Sequence, residues 1–298
     1  MGTRFELTAV AETDSVARQA VQAGIREIQR IEALISSWQP GSQTSAVNAA
    51  AGVAPVRVDD ELFQLVRRAL KVSKLTRGAF DISFAGMDRL WRFDGSMKAL
   101  PDSSVVAEAR RLVDYRQIEL NPSDTTIFLA QVGMRIGFGA IGKGYAANRA
   151  KILMQRAGAR GGVVNAAGDL IAWGRSIRPE GWSVQLVDPK DRDKTFAWLP
   201  VKNGAVVTSG DYEKYAEING VRYAHIIDPR TGYPTTGLKS VTIVCPDPEL
   251  ADALATAVFV LGKEEGLAFV NRLSRIECLL ITDTDEILTS SGLLLNRY

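Results

Sequence analysis

The chain has 298 residues, 46% hydrophobic and 23% charged, a composition typical of a folded globular protein and far from that of a disordered one. Thirty-six basic residues against thirty-four acidic ones leave a formal charge of +2, with the basic residues scattered rather than striped, so nucleic acid is not the expected partner. Cys245 and Cys278 are too few and too far apart for a zinc framework or a disulfide scaffold, and are expected as core thiols, with one pair between them left open.

The chain opens "MGTRFELTAV", which alternates like a strand and lacks the regions of a signal peptide. Next, "TDSVARQAVQAGIREIQRIEALIS" places Ala17, Val21, Gly24, Ile28, Ile31 and Ile35 on one helical face, with Thr13 or Asp14 as cap. The polar "SWQPGSQTSAVNAAAG" reads as a loop, and "DDELFQLVRRALKVSKLTRG" as a second helix with Leu62, Leu65, Val66 and Ala69 on one face and Gly78 past its end. Short strands are expected from about 114 to 141, then a helix over "GKGYAANRAKILMQRAG" ending on Gly158. Strands follow around "VVNAAG", "WSVQLV", "AVVTSG" and "KSVTIVC". The helix "PELADALATAVFVLG" takes Asp247 as cap, Pro248 in its first turn and Gly262 as its stop, and a shorter helix and the strand pair "IECLLI" and "EILTSS" close the chain. No repeat, low-complexity linker or run of about eighteen apolar residues occurs, so the expectation is one α+β unit over 1–298, with largely antiparallel or mixed sheets flanked by helices, two lobes within it staying open, and no membrane span.

Four short stretches carry candidate chemistry. In "GFGAIGKGY", Gly137, Gly142 and Lys143 nearly spell a phosphate-binding P-loop, but Gly144 stands where a magnesium-binding hydroxyl is needed, which argues against a nucleotide triphosphatase. What survives is a glycine-rich helix start able to receive an anion beside Lys143, or a plain strand-to-helix turn. In "ADALATA", Asp252 and Thr256 are one helical turn apart and offer two hard oxygens of the kind magnesium prefers, unless they form a solvated face or a packing pair. "HIIDPRTGYP" combines a proline turn with His225, the chain's single histidine, and with Arg230: one can accept a proton near neutral pH and the other is permanently charged. In "TSGD", Thr208, Ser209 and Asp211 crowd Gly210 after an apolar strand, where they can line a site or cap a turn.

Together, and in this order, the segments "MGTRF", "SWQPGSQTSAVN", "GAFDISF", "GAIGKGYAANRA", "VVNAAGDLIAWG", "TSGDY", "HIIDPRTGYP" and "ADALATAVFVLG" resemble the ApbE family of FAD:protein FMN transferases over nearly the whole chain. The resemblance implies a magnesium-dependent reaction in which FAD is cleaved at its pyrophosphate, AMP leaves, and FMN is joined through a phosphoester to a Thr or Ser hydroxyl of an acceptor protein. The acceptors it implies are flavin-bearing subunits of membrane redox complexes.

By the same resemblance, Asp252, Thr256 and the Ala140 carbonyl hold magnesium, and His225 is the candidate base, with Arg230 steadying phosphate charge or the loop. Met1, Trp38, Ser45, Asn48, Lys143, Thr208, Ser209, Gly210, Asp211 and His225 itself fall at flavin or phosphate positions, with core packing as the other reading of Trp38. Two departures stand out: Gly137 where the family often has Asp, which removes an acidic group near the metal, and Trp38 for the usual Tyr. A FAD carrier without transfer and a metal-dependent FAD pyrophosphatase are the competing readings. The resemblance further implies a periplasmic or exported protein, with lipoprotein anchoring in a longer form, and a start at the motif's own "MGT" is expected of a trimmed chain.

Overall fold

The computed structural model describes residues 2–87, 90–187, 195–210, 215–218 and 221–297. Strands and helices are numbered along the chain. A seven-stranded sheet runs in the order β1 (Phe5–Val10), β5 (Gly161–Ala166), β6 (Asp169–Gly174), β9 (Gly204–Gly210), β12 (Leu238–Cys245), β13 (Glu277–Thr282), β14 (Ile287–Thr289), and each neighbouring pair is antiparallel. Three smaller antiparallel groups accompany it: β2 (Val56–Arg57) with β4 (Thr126–Leu129) and β3 (Ile118–Asn121); β15 (Asn296–Arg297) with β8 (Thr195–Val201) and β7 (Trp182–Val187); and the pair β10 (Tyr215–Ile218) and β11 (Val221–Ala224).

Alternation along the central strands divides their side chains between two cores. In β9 and β13, Val207, Cys278 and Leu280 join the large core shared with the helices, while Val206, Leu279 and Ile281 join a smaller one with Leu186, Ala197 and Leu199 of β7 and β8. The period of two in a sheet covered on both sides explains why these strands read as nearly continuous apolar runs.

The helices are α1 (Asp14–Ile35), α2 (Gln43–Ala49), α3 (Asp60–Leu75), α4 (Ser103–Arg110), α5 (Gly142–Arg156) and α6 (Pro248–Val270). Thr13 caps α1 by accepting the Val16 amide at 3.3 Å. Its buried face comprises Ala20, Gly24, Glu27, Ile28, Ile31, Leu34 and Ile35, so Ala17 and Val21 sit at the margin of the predicted stripe rather than at its centre. The predicted loop at 37–52 contains α2, whose cap Ser42 accepts the Ser45 amide at 3.0 Å. Two turns with only Thr44 and Val47 buried give too little periodicity to be read from sequence.

Asp247 caps α6 through the Glu249 amide and Gly262 interrupts the helix at φ 78°, both as expected. The shorter helix expected after it follows directly and ends at Val270.

A charge network ties α1, α3 and α5 together. The buried Glu27 accepts from Arg30 at 2.8 and 2.9 Å and from Arg149 at 3.0 Å, while Arg30 pairs with Glu61 at 2.6 Å. Glu61 also accepts the Tyr145 hydroxyl at 2.5 Å. Both cysteines are free and buried, and burial pushes the Cys278 thiol up to about 11. Among the described residues no helix is long and apolar enough to cross a membrane.

Candidate active site

A cleft of about 480 Å³ opens where the end of α1, the segments 79–85 and 91–93, the turn leading into α5, the end of β9, the residues after β11 and the middle of α6 converge. Trp38, Ala140, Lys143, Thr208, Ser209, His225 and Thr256 all line it, although they lie on five separate stretches of chain.

Each wall has a local reason for its shape. Trp38 follows a tight bend in which the Ser36 hydroxyl accepts the Trp38 and Gln39 amides at 3.4 and 3.2 Å, and the indole is left 64% exposed. Such exposure excludes a core-packing role and leaves a flat aromatic face at the rim of the cleft. Thr208 shares a 2.9 Å hydrogen bond with Thr242 across the β9–β12 ladder, fixing the end of β9.

His225 is half-buried and meets Phe93 edge to face, with ring centroids 6.4 Å apart. Trp91 stacks behind Phe93 at 6.3 Å and donates its indole N–H to the Gly232 carbonyl at 3.0 Å, so the aromatic segment is fastened to the turn that follows the histidine. That turn closes through the Gly232 amide to the Asp228 carbonyl at 2.8 Å.

The glycine-rich start of α5 does receive an anion, but the anion belongs to the chain. The Gly144 amide donates to Asp252 Oδ2 at 3.0 Å. A β-carbon at 144 would collide with the Pro248 carbonyl oxygen, so the residue that breaks the P-loop pattern also cannot carry a side chain in this packing. Asp252 itself is 1% exposed. Lys143 reaches Asp252 Oδ1 at 3.4 Å and Asp169 Oδ2 at 3.0 Å. At Gly137 a β-carbon would come to 2.9 Å from that of Ala85, so the room for the family's aspartate is taken.

Other predicted residues stand elsewhere. Ser45 and Asn48 are not among the residues lining the cleft; Asn48 clamps residue 136 by accepting its amide at 2.7 Å and donating to its carbonyl at 3.0 Å, and the Ser45 hydroxyl reaches the Ser36 carbonyl at 3.4 Å. Both brace the segments that form the walls. Arg230 is turned back on its own loop in a paired contact with Asp228, with bonds of 2.9 Å from Nε and 2.9 Å from Nη2, and those hydrogen bonds hold its guanidinium above its ordinary value. Pro229 rather than Arg230 faces the cleft. Gly210 ends β9 opposite Ser240, whereas Met1 and Asp211 lie outside the described residues.

Three residues with no role assigned from sequence also belong here. Asp81 lines the cleft and accepts the Ser83 amide and hydroxyl at 2.8 and 2.6 Å and the Tyr115 amide at 2.8 Å, while burial pushes its carboxyl above the usual range. Phe93 faces the histidine, and Asp169 faces Lys143. Asp81 and Asp169 lie inside "GAFDISF" and "VVNAAGDLIAWG", two of the segments that carry the family resemblance, and that placement is the signal that could have flagged them.

The model of the ApbE family matches residues 1–280. The chain belongs to the ApbE family. Among curated relatives, the FAD:protein FMN transferase of Treponema pallidum (strain Nichols) is 35% identical, the match covering 92% of this chain and 81% of the relative. That of Klebsiella pneumoniae (strain 342) is 31% identical over 98% of this chain and 90% of its own. The crystal structure of the ApbE protein of Thermotoga maritima superposes with a TM-score of 0.90 at 30% identity, covering 97% of this chain and 94% of that one. For the apo form of the Pseudomonas stutzeri flavinyl transferase ApbE the TM-score is 0.85 at 26% identity, over 97% and 91% of the two chains. The α+β architecture described above is thus the ApbE fold.

Proposed function

We propose that this ApbE-family enzyme transfers FMN from FAD to a hydroxyl of an acceptor flavoprotein. The observation that carries the reading is the convergence in one cleft of a base, a cation and an exposed aromatic face, His225, Lys143 and Trp38, with the buried carboxylate of Asp252 behind the lysine rather than in the cleft lining. The naming of its relatives as FAD:protein FMN transferases supports the same reading.

In the proposed step the acceptor oxygen attacks the FMN phosphorus, the bond from that phosphorus to the bridging oxygen breaks, and AMP leaves with the electron pair. The acceptor proton goes to the imidazole of His225, the side-chain type suited to proton transfer near neutral pH. Lys143 is the fixed positive charge at the edge of the cleft, placed to neutralise diphosphate oxygens. Trp38 offers its ring plane to an isoalloxazine or adenine ring.

Residues fit for a divalent ion are present as well. Asp252 has one oxygen fixed by Gly144, Thr256 opens into the cleft one turn along α6, and the Ala140 carbonyl lies on the facing turn: a hard, all-oxygen set of the type magnesium takes. Among the described residues no group of three or more His, Cys, Asp or Glu gathers at one point, which disfavours a zinc-type centre. Magnesium held there would supply Lewis-acid neutralisation of the diphosphate.

The test is incubation with FAD, magnesium and an acceptor protein bearing a Thr or Ser flavinylation motif. Release of AMP together with the mass of FMN on the acceptor hydroxyl is expected. AMP formed at full rate without acceptor would replace the reading with a pyrophosphatase, and FAD retained intact would replace it with a carrier.

A further inference from the structure

Lys143 stands between two buried carboxylates that come from different parts of the fold. Asp169 is the first residue of β6 and Asp252 lies on α6, and their side chains are 4% and 1% exposed against 27% for the lysine. The shorter contact, 3.0 Å, is to Asp169 Oδ2; the longer, 3.4 Å, is to Asp252 Oδ1. Because Oδ2 of Asp252 is engaged by the Gly144 amide, Oδ1 is the oxygen that an ammonium and a divalent ion would both seek. Two cations drawn to one oxygen repel each other, and burial strengthens that repulsion by lowering the effective dielectric.

We propose that Asp169 is a positioning residue that tethers Lys143, so that the ammonium can yield Asp252 to a divalent ion and still remain at the cleft. This rests on the reading of Asp252 as a metal ligand. With Asp169 present, a lysine displaced from Asp252 keeps a buried counter-charge and stays where diphosphate oxygens would arrive. Without it, Asp252 becomes the lysine's nearest carboxylate among the described residues, and metal binding must break that pair. The sequence gap between the two anchors, from β6 to α6, means that the tether and the metal ligand are set by separate elements and can be separated by mutation.

The experiment is binding of manganese(II), followed by the loss of its free-ion EPR signal, to the wild-type chain and to D169N, K143M and the double variant, with folding of each checked by circular dichroism. D169N should weaken manganese binding about tenfold, within the range seen when partners of metal ligands are removed. K143M should tighten it, and in the K143M background D169N should cost no more than about threefold. K143Q replaces K143M should the latter fail to fold. An equal loss from D169N in both backgrounds would overturn the tether, because Asp169 would then act on the ion directly, and so would unchanged binding by D169N alone. D252N separates the two levels of the claim: manganese binding that survives D252N removes the metal-ligand reading itself.

Discussion

Gly144 and Asp252 are bonded across the α5–α6 contact, amide to carboxylate at 3.0 Å, and the place of a side chain at Gly144 is occupied by the Pro248 carbonyl. One residue therefore sets both the separation of two helices and the orientation of the carboxylate between them.

Gly144→Ala should push α6 away and turn Asp252. The expected cost is about 1–3 kcal/mol, the usual range for overpacking, with a fall in transfer rate beyond what the remaining folded fraction explains. Urea denaturation and a transfer assay on the same preparation check it, and stability within error of wild type would contradict the packing argument.

His225→Asn removes the proposed base and keeps a hydrogen-bonding side chain. Transfer at saturating FAD should drop by about 10²–10⁴-fold, while FAD binding changes little. Phe93→Ala should reproduce a smaller part of this loss, in kcat rather than KM, because the imidazole loses the ring that meets it edge to face. Comparing the two variants in steady-state kinetics tests whether the aromatic segment acts through the histidine.

Trp38→Ala should weaken FAD binding by about 1 kcal/mol, roughly fivefold, with little change in the stability of the fold. The indole is mostly exposed and fills no core, so calorimetric titration with FAD and thermal unfolding should diverge. A large loss of melting temperature would mean the ring packs more than it stacks.

Glu27 supplies a pH prediction. Its hydrogen bonds from Arg30, and then those from Arg149, hold the carboxyl below its ordinary 4.5 despite burial. A folded value below the unfolded one means that its contribution is present above pH 4.5 and lost as pH falls through the folded value. Glu27→Gln should cost about 1–3 kcal/mol at pH 7, and the gap to wild type should narrow on acidification towards the unfolding region. Denaturation curves at the two ends of that range check the sign.

Much of this site could be read along the chain wherever its parts are local. Asp252 and Thr256 are four residues apart under a proper cap, so their shared face follows from helical geometry, and the turn after His225 is spelled by Pro229 and Gly232. The partners that orient these groups are not local. Asp169 meets Lys143 only because β6 and α5 are brought together by the sheet, and Phe93 meets His225 across more than a hundred residues. The glycine-rich turn was legible as an anion receiver, but not that α6 would supply the anion. Arg230 showed the converse: a charge beside a candidate base reads as chemistry, yet Asp228 two residues earlier absorbs it.

Cys245 and Cys278 sit on the neighbouring strands β12 and β13, sealed inside as unpaired thiols, with the second pushed up to about 11. A bulky maleimide can reach them only when those strands part, so the speed of labelling measures how often the sheet opens. The protein thus carries its own clock for unfolding, and any variant above can be timed against it without an added dye.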